Sequence, residues 1–328
     1  RNMPWRNTSN PYQIWLSEVI LQQTRIETGV AYLERFLARF PLLSDLASAP
    51  QDEVLKYWEG LGYYSRARNL HAAAIQLVED FGGEFPESHL ELLTLKGVGP
   101  YTARAIASFA FGEQVAVLDG NVMRVVSRLL GDPAPIDQQK TRKEFQQQLD
   151  FWVKDSDSRK FNHGMMDIGS VICTPTNPGC MICPLESQCV ARKEGLTAVL
   201  PQKGKKLVRK TRYFRFYLLR KERELLIRQR PQAGLWGGLW EIPNDETTAE
   251  EWEAKKGVGE TVWLGSGKHI FTHFDMHYHV FSMELKAENY PIEGQFEKYE
   301  KIHTFAFPRA VLNMFDQHLP GLTKPTDK

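Results

Sequence analysis

Leu95-Lys96-Gly97-Val98-Gly99-Pro100-Tyr101-Thr102 is the stretch on which the reading of this 328-residue chain turns. Two glycines flank a single valine between segments of helical pattern, so the connection can be tight and another backbone can come close. The helix that follows begins with N–H groups that have no intrahelical acceptor and can bind a phosphate. Working outward, the surrounding periodicity is helical. Ile14, Trp15, Val19, Ile20 and Leu21 make one apolar face, and Tyr32, Leu33, Phe36, Leu37 and Phe40 make another that Pro41 ends. Further helices are expected over 51–59, 65–80, 88–94, 100–111, 119–130, 139–152 and 159–171. After Leu200 the pattern changes. Lys203, Lys205, Lys206, Arg209, Lys210 and Arg212 form a tract of cations without an acid. Beyond it Tyr213–Leu219, Leu225–Arg230, His269–Phe274 and His279–Leu285 read as strands, with helices near 247–256 and 308–317.

The length suits two domains. We expect a helical domain over 1–200, a basic linker over 201–212 and an α+β domain over 213–328. No run approaches the roughly 20 apolar residues of a membrane span. The net charge is only +1, so any nucleic-acid surface must be a local one. The chain starts at Arg1 inside the tract Met3-Pro4-Trp5-Arg6, which reads as a trimmed start, so a targeting peptide would not be visible.

All four cysteines, Cys173, Cys180, Cys183 and Cys189, fall in one short loop with the spacing C-x6-C-x2-C-x5-C. A secreted disulfide framework would spread its cysteines to tie distant segments together. Clustered thiols suit a tetrahedral metal or a cubane iron–sulfur cluster in a reducing compartment. Zinc is the alternative, although zinc sites more often pair two C-x2-C knuckles.

The glycine turn resembles a helix-hairpin-helix motif, which grips the DNA backbone through Gly97 and Gly99 without reading sequence. Asp119 follows one helix later in Val117-Leu118-Asp119-Gly120-Asn121-Val122, where it can cap the next helix. Hairpin, Asp and cysteine spacing together resemble the base-excision glycosylase superfamily. That resemblance implies a [4Fe-4S] cluster on the four thiols and an Asp119 that faces the sugar of the breaking bond.

Three features narrow the substrate. Glu18 stands in Trp15-Leu16-Ser17-Glu18-Val19-Ile20-Leu21-Gln22-Gln23-Thr24, on a largely apolar helix where a lone carboxylate is costly unless paired or protonated. The tract resembles the MutY family of adenine DNA glycosylases, in which such a Glu protonates the departing adenine and activates water. Tyr101 occupies the hairpin position where bifunctional relatives carry a Lys, and a phenol cannot form an imine. With Glu18 and Asp119 it completes a catalytic set without strand-cleaving activity. Third, Gly234-Leu235-Trp236-Gly237-Gly238-Leu239-Trp240-Glu241-Ile242-Pro243 resembles the entry to a Nudix fold, yet the acidic metal-binding box is missing after it. In the MutY family such a domain inspects the base opposite adenine.

The resemblance runs over nearly the whole chain, more strongly from Pro4 to Cys189 than after Tyr213. It implies an all-α helix-hairpin-helix glycosylase module with a cluster loop over 173–189, joined to an α+β Nudix-like domain. The reaction implied is hydrolysis of the N-glycosidic bond of adenine paired with 8-oxoguanine or guanine in duplex DNA. The protein would act as a monomer on that DNA, away from membranes, and in the cytoplasm with the nucleoid if the source is bacterial. Gln23 and Tyr63 become wedges in the base stack, which ease extrusion of the target base. Arg6, Leu61 and Asn121 become further DNA contacts. The family's Phe-Ser-His recognition loop appears as Phe271-Thr272-His273, in which Thr272 keeps the hydroxyl and His273 the imidazole. His163 stands where the family has Glu or Gln, and reads as a polar pocket-lining or surface residue. On sequence alone three rivals stay open: a glycosylase for another base such as thymine in a G·T mismatch, a non-catalytic mismatch or redox sensor, and a nucleotide pyrophosphohydrolase.

Overall fold

A computed structural model describes residues 3–204, 208–285 and 293–322. Its contacts separate two compact units, 3–47 with 72–204 and 48–71 with 208–322. Lys205 and Lys206 of the basic tract lie outside the described residues.

The first unit is helical. Asn10 caps Pro11–Leu21 by accepting from the Gln13 N–H, and Pro11 at the first turn gives up no hydrogen bond. Ile26–Arg39 ends just before Phe40 and Pro41, as the proline requires. Gln139–Val153 sends Phe145, Leu149 and Val153, four residues apart, against Val122, Val125 and Val126 of Gly120–Leu130. Gly131, in the left-handed region at φ 68°, closes that helix. The helix after the glycine turn is α-helical over Pro100–Ile106 and widens to a π-turn over Ala107–Phe111. Ser158–Asp167 does the same over Ile168–Ile172. Such widenings are frequent beside functional sites.

The second unit is built on a mixed sheet. Its strands are β1 (Lys210–Lys221), β2 (Glu224–Gln229), β3 (Trp240–Glu241), β4 (Asn244–Thr247), β5 (Val262–Ile270), β6 (Phe274–Glu284) and β7 (Gln295–Lys298). The order is β3-β2-β1-β6-β5, with β4 also on β1 and β7 on β2. β1 and β6 run parallel from Lys210↔Phe274 to Arg220↔Glu284. Alternate residues Phe214, Phe216 and Leu218 of β1 and Phe274, Met276, Tyr278 and Val280 of β6 face one core. The helix Arg309–His318 covers that core with Ala310, Val311, Met314 and Phe315.

One strand expectation is corrected. His269–Phe274 is not a strand of its own: β5 ends at Ile270, β6 starts at Phe274, and Phe271-Thr272-His273 turns between them. Runs of β-forming residues on both sides hid the turn, which has no Gly, Pro or Asn to mark it. β3, β4 and β7 are two to four residues long, too short for a period-two signal.

Candidate active site

Glu18 is 7% exposed, on a helix buried from Ile14 to Ile20. The Tyr101 hydroxyl, from the helix after the glycine turn, donates to its Oε2 at 2.6 Å. Burial pushes the Glu18 carboxyl up to about 7, and the negative charge of Asp119 adds to this. The Tyr101 hydrogen bond and the Arg6 cation pull the other way. Tyr101 moves well above its ordinary range, through burial first and the Glu18 charge second, so it stays a phenol and a donor.

Asp119 caps Gly120–Leu130. Its Oδ1 accepts from the Val122 N–H at 2.6 Å and its Oδ2 from the Asn121 amide at 3.1 Å. The cap therefore sets the direction of a carboxylate that faces the same electrostatic neighbourhood as Glu18 and Tyr101. Arg6 makes a two-pronged ion pair with Asp167 at 2.7 and 2.9 Å, and its own carbonyl accepts from Arg159. His163 is half-buried and stacks on Phe109 with ring centres 4.5 Å apart. Burial, with Arg6 and Arg159 nearby, lowers its imidazole to about 4, so it is neutral at pH 7. Of the two hairpin glycines only Gly97, at φ 73°, needs to be glycine for its backbone; Gly99 is extended and caps the next helix. Gln23 is held in the left-handed region at φ 56°, an uncommon conformation for a residue with a side chain.

The four cysteines line one cavity together with Arg128 and Arg192. No three His, Cys, Asp or Glu among the described residues form a group able to hold a single metal ion. Two arginines that the sequence reading did not single out join this loop to the helix of Asp119. Arg124 Nε donates to the Cys173 carbonyl at 2.7 Å, while its Nη2 reaches Asn121 Oδ1 at 3.0 Å and the Gly169 carbonyl at 2.7 Å. Arg128, 2% exposed, donates to Cys173 Sγ at 3.3 Å and to the carbonyls of Thr174, Pro175 and Leu200. Their signal was present in the sequence: two arginines four apart on a helix of valines, where a buried cation must find acceptors.

The second unit holds the remaining site residues. Tyr63, left-handed at φ 46°, places its hydroxyl 2.6 Å from Thr272 Oγ1. Leu61, Tyr63, Thr272 and His273 line a cavity of about 480 Å³ with Trp236 and Arg309. In the segment after the tract 234–243, Asp245 is engaged by Arg215 and Glu246 by Arg212 at 2.6 and 2.7 Å, while Glu251 pairs with the Thr247 hydroxyl.

The chain matches the model of the HhH-GPD superfamily of base excision DNA repair proteins over residues 16–152, and that of the NUDIX domain over 215–317. It is 32% identical to an adenine DNA glycosylase of Buchnera aphidicola subsp. Schizaphis graminum, over 84% of this chain and 81% of that one. It is equally similar, at 32%, to the adenine DNA glycosylase of Mus musculus, over 99% of this chain and 77% of that one. Among solved structures, a thermostable thymine-DNA glycosylase superposes with a TM-score of 0.55 and 30% identity, covering 59% of this chain and 89% of its own.

Proposed function

Since this chain belongs to the adenine DNA glycosylases of the HhH-GPD base excision repair superfamily, we propose that it hydrolyses the N-glycosidic bond of deoxyadenosine extruded from duplex DNA opposite 8-oxoguanine. The observation that carries the mechanism is the buried Glu18 with the Tyr101 phenol on its Oε2 and the Asp119 charge nearby. With Oε2 taken, Oε1 is the oxygen left to hand a proton to the departing adenine. A carboxyl near 7 is about half protonated at neutral pH, the condition in which a general acid is both present and willing to give its proton. As the base leaves, positive charge grows on the sugar, and the fixed Asp119 carboxylate stabilises it. Glu18, now ionised, takes a proton from the water that attacks. Tyr101 offers no amine, so no imine forms and the strand is left uncut.

Four soft cysteine sulfurs lining one cavity, with an N–H donor on Cys173 Sγ, fit a [4Fe-4S] cluster on Cys173, Cys180, Cys183 and Cys189. Bound there, a cluster would cross-link the loop 173–189 and supply a one-electron centre. For the opposite base, 8-oxoguanine differs from guanine by a C8 carbonyl and a hydrogen on N7. The Thr272 hydroxyl, held by Tyr63, can donate to the one or accept from the other. Arg6, Gln23, Leu61, Tyr63, Gly97, Gly99, Asn121 and His273 are assigned to the DNA around these two bases.

Single-turnover base release from A·8-oxoguanine, A·G and T·G duplexes tests the reading. Adenine release, fastest opposite 8-oxoguanine, is expected. Thymine release from T·G in its place would move the chain to another substrate on the same scaffold.

A further inference from the structure

Trp236 sits in the left-handed region at φ 56°, in the tight turn Gly234-Leu235-Trp236-Gly237-Gly238. Such a conformation is cheap for Gly and tolerable for Asn, but costly for a bulky aromatic residue. The turn is fixed on all sides. The Gly238 N–H donates to the Pro231 carbonyl, the Leu239 N–H to the Trp236 carbonyl, and Arg68 Nη1 to the Gly237 carbonyl. A side chain at Gly237 would collide with the Gln232 carbonyl. The backbone geometry would thus be met by glycine at 236 at least as well. What only tryptophan supplies there is the ring.

That ring packs on Phe271, with centres 5.7 Å apart, and on Phe216 at 6.4 Å. Phe271 stacks in turn on Phe274, at 4.3 Å and 14°, so the turn between β5 and β6 is clamped at both ends by aromatic rings. Thr272 and His273 are the two residues between those ends. Trp236 also lines the cavity that Tyr63, Thr272 and His273 share. We propose that Trp236 is a positioning residue for base discrimination: acting through Phe271, it sets where the Thr272 hydroxyl stands in the cavity. The inference rests on the reading of Thr272 as the sensor of 8-oxoguanine. A ring that only filled the core would change the preference in step with the melting temperature.

The experiment uses the full chain with its cluster. Single-turnover adenine release is measured opposite 8-oxoguanine and opposite guanine at one salt concentration, because phosphate contacts vary with salt. The variants are Trp236→Gly, Trp236→Leu and Trp236→Phe, with Thr272→Ala as reference and melting temperatures for all. Glycine keeps the backbone conformation, leucine keeps apolar bulk and phenylalanine keeps an aromatic face. The preference for 8-oxoguanine is expected to fall about two- to tenfold in Gly and Leu variants, the range of one hydrogen bond, with the larger loss opposite 8-oxoguanine. Phenylalanine should restore the preference to within about twofold, on the same scale. If Trp236→Gly does not fold, the Leu and Phe pair carries the comparison. Equal losses on both substrates, or a preference that follows the melting temperature, would overturn the proposal. If Thr272→Ala lowers the preference and no Trp236 variant does, this inference fails and the sensor reading stands. A wild type without preference sinks both.

Discussion

Replacing Glu18 by Gln tests the chemistry and the electrostatics in one protein. Gln keeps an oxygen for the Tyr101 hydroxyl, now at 2.6 Å from Glu18 Oε2, and removes only the titrating proton. Burial raises the carboxyl from 4.5 to about 7. In the unfolded chain it ionises near 4.5 and in the folded chain near 7, so the cost to stability builds between those values. Below 4.5 both states are protonated and there is no cost. Above 7 both are ionised and the full cost, about 3 kcal/mol at about 1.4 kcal/mol per pH unit, is present. Glu18→Gln should therefore be more stable than wild type at pH 8 by up to about 3 kcal/mol, and the gain should vanish toward pH 4. Its single-turnover adenine release should fall by about 10²–10⁴-fold, with mismatch binding largely kept. In the wild type the rate should drop about tenfold per pH unit above neutrality, following the protonated fraction of one group. Denaturant melts at several pH values and quenched single-turnover assays measure both effects. A variant that releases adenine at near wild-type rates would falsify the general-acid role. A stability difference that ignores pH would refute the account of the buried carboxyl.

Four further outcomes are expected. Borohydride should trap no imine between the wild-type protein and DNA, whereas Tyr101→Lys introduces some strand cleavage; a strong wild-type adduct would mean that another lysine serves as nucleophile. Cys180→Ser should lose iron, measured by metal analysis, and weaken DNA binding more than it alters the Glu18 pocket; stoichiometric zinc without iron in anaerobically purified wild type would end the cluster assignment. Thr272→Ala with His273→Ala should narrow the preference for 8-oxoguanine over guanine several-fold, about 0.5–1.5 kcal/mol per lost bond, while Thr272→Ser is tolerated; equal slowing on both substrates would make the turn a folding element. His163→Gln should leave the alkaline limb of the rate profile in place, since the imidazole is already neutral well below it; a displaced limb would assign the titration to His163.

Elements with a repeating pattern were the ones the sequence disclosed. The helices of the first unit carry long apolar periods, and the parallel core strands carry runs of Phe, Leu and Val, so both halves of the architecture were readable. Glu18 stood out because a carboxylate among Trp15, Val19 and Leu21 is chemically out of place. Its pairing with Tyr101, 83 residues away, depends on how the helix of Glu18 meets the one after the glycine turn, and no local pattern records that. Arg124 and Arg128 carry a weak signal in the sequence, because an arginine on a helix is ordinarily a solvated one; the acceptors supplied by the cysteine loop show why they are buried. The turn at Phe271–His273 was blurred by its own aromatic and β-branched residues, which favour strands. Trp236 offered no warning at all, since backbone dihedrals are invisible in a sequence.

The membership of residues 48–71 in the second unit has a practical consequence for anyone cutting the gene. Lys56 donates to the Phe305 carbonyl at 3.0 Å, Glu59 accepts from the Phe307 N–H at 2.9 Å, Tyr64 donates to the Phe307 carbonyl at 3.2 Å, and Gln229 donates to Asp52 at 2.7 Å. A stop codon placed after the cysteine loop would remove all of these tail partners at once, from a segment that lies far upstream of the cut. The truncated product would keep the Lys56–Glu59 ion pair at 2.7 Å, but Lys56, Glu59, Tyr64 and Asp52 would lose the bonds they make to the tail. Expression of the N-terminal half alone is thus a test of an orphaned helix as much as of a catalytic domain.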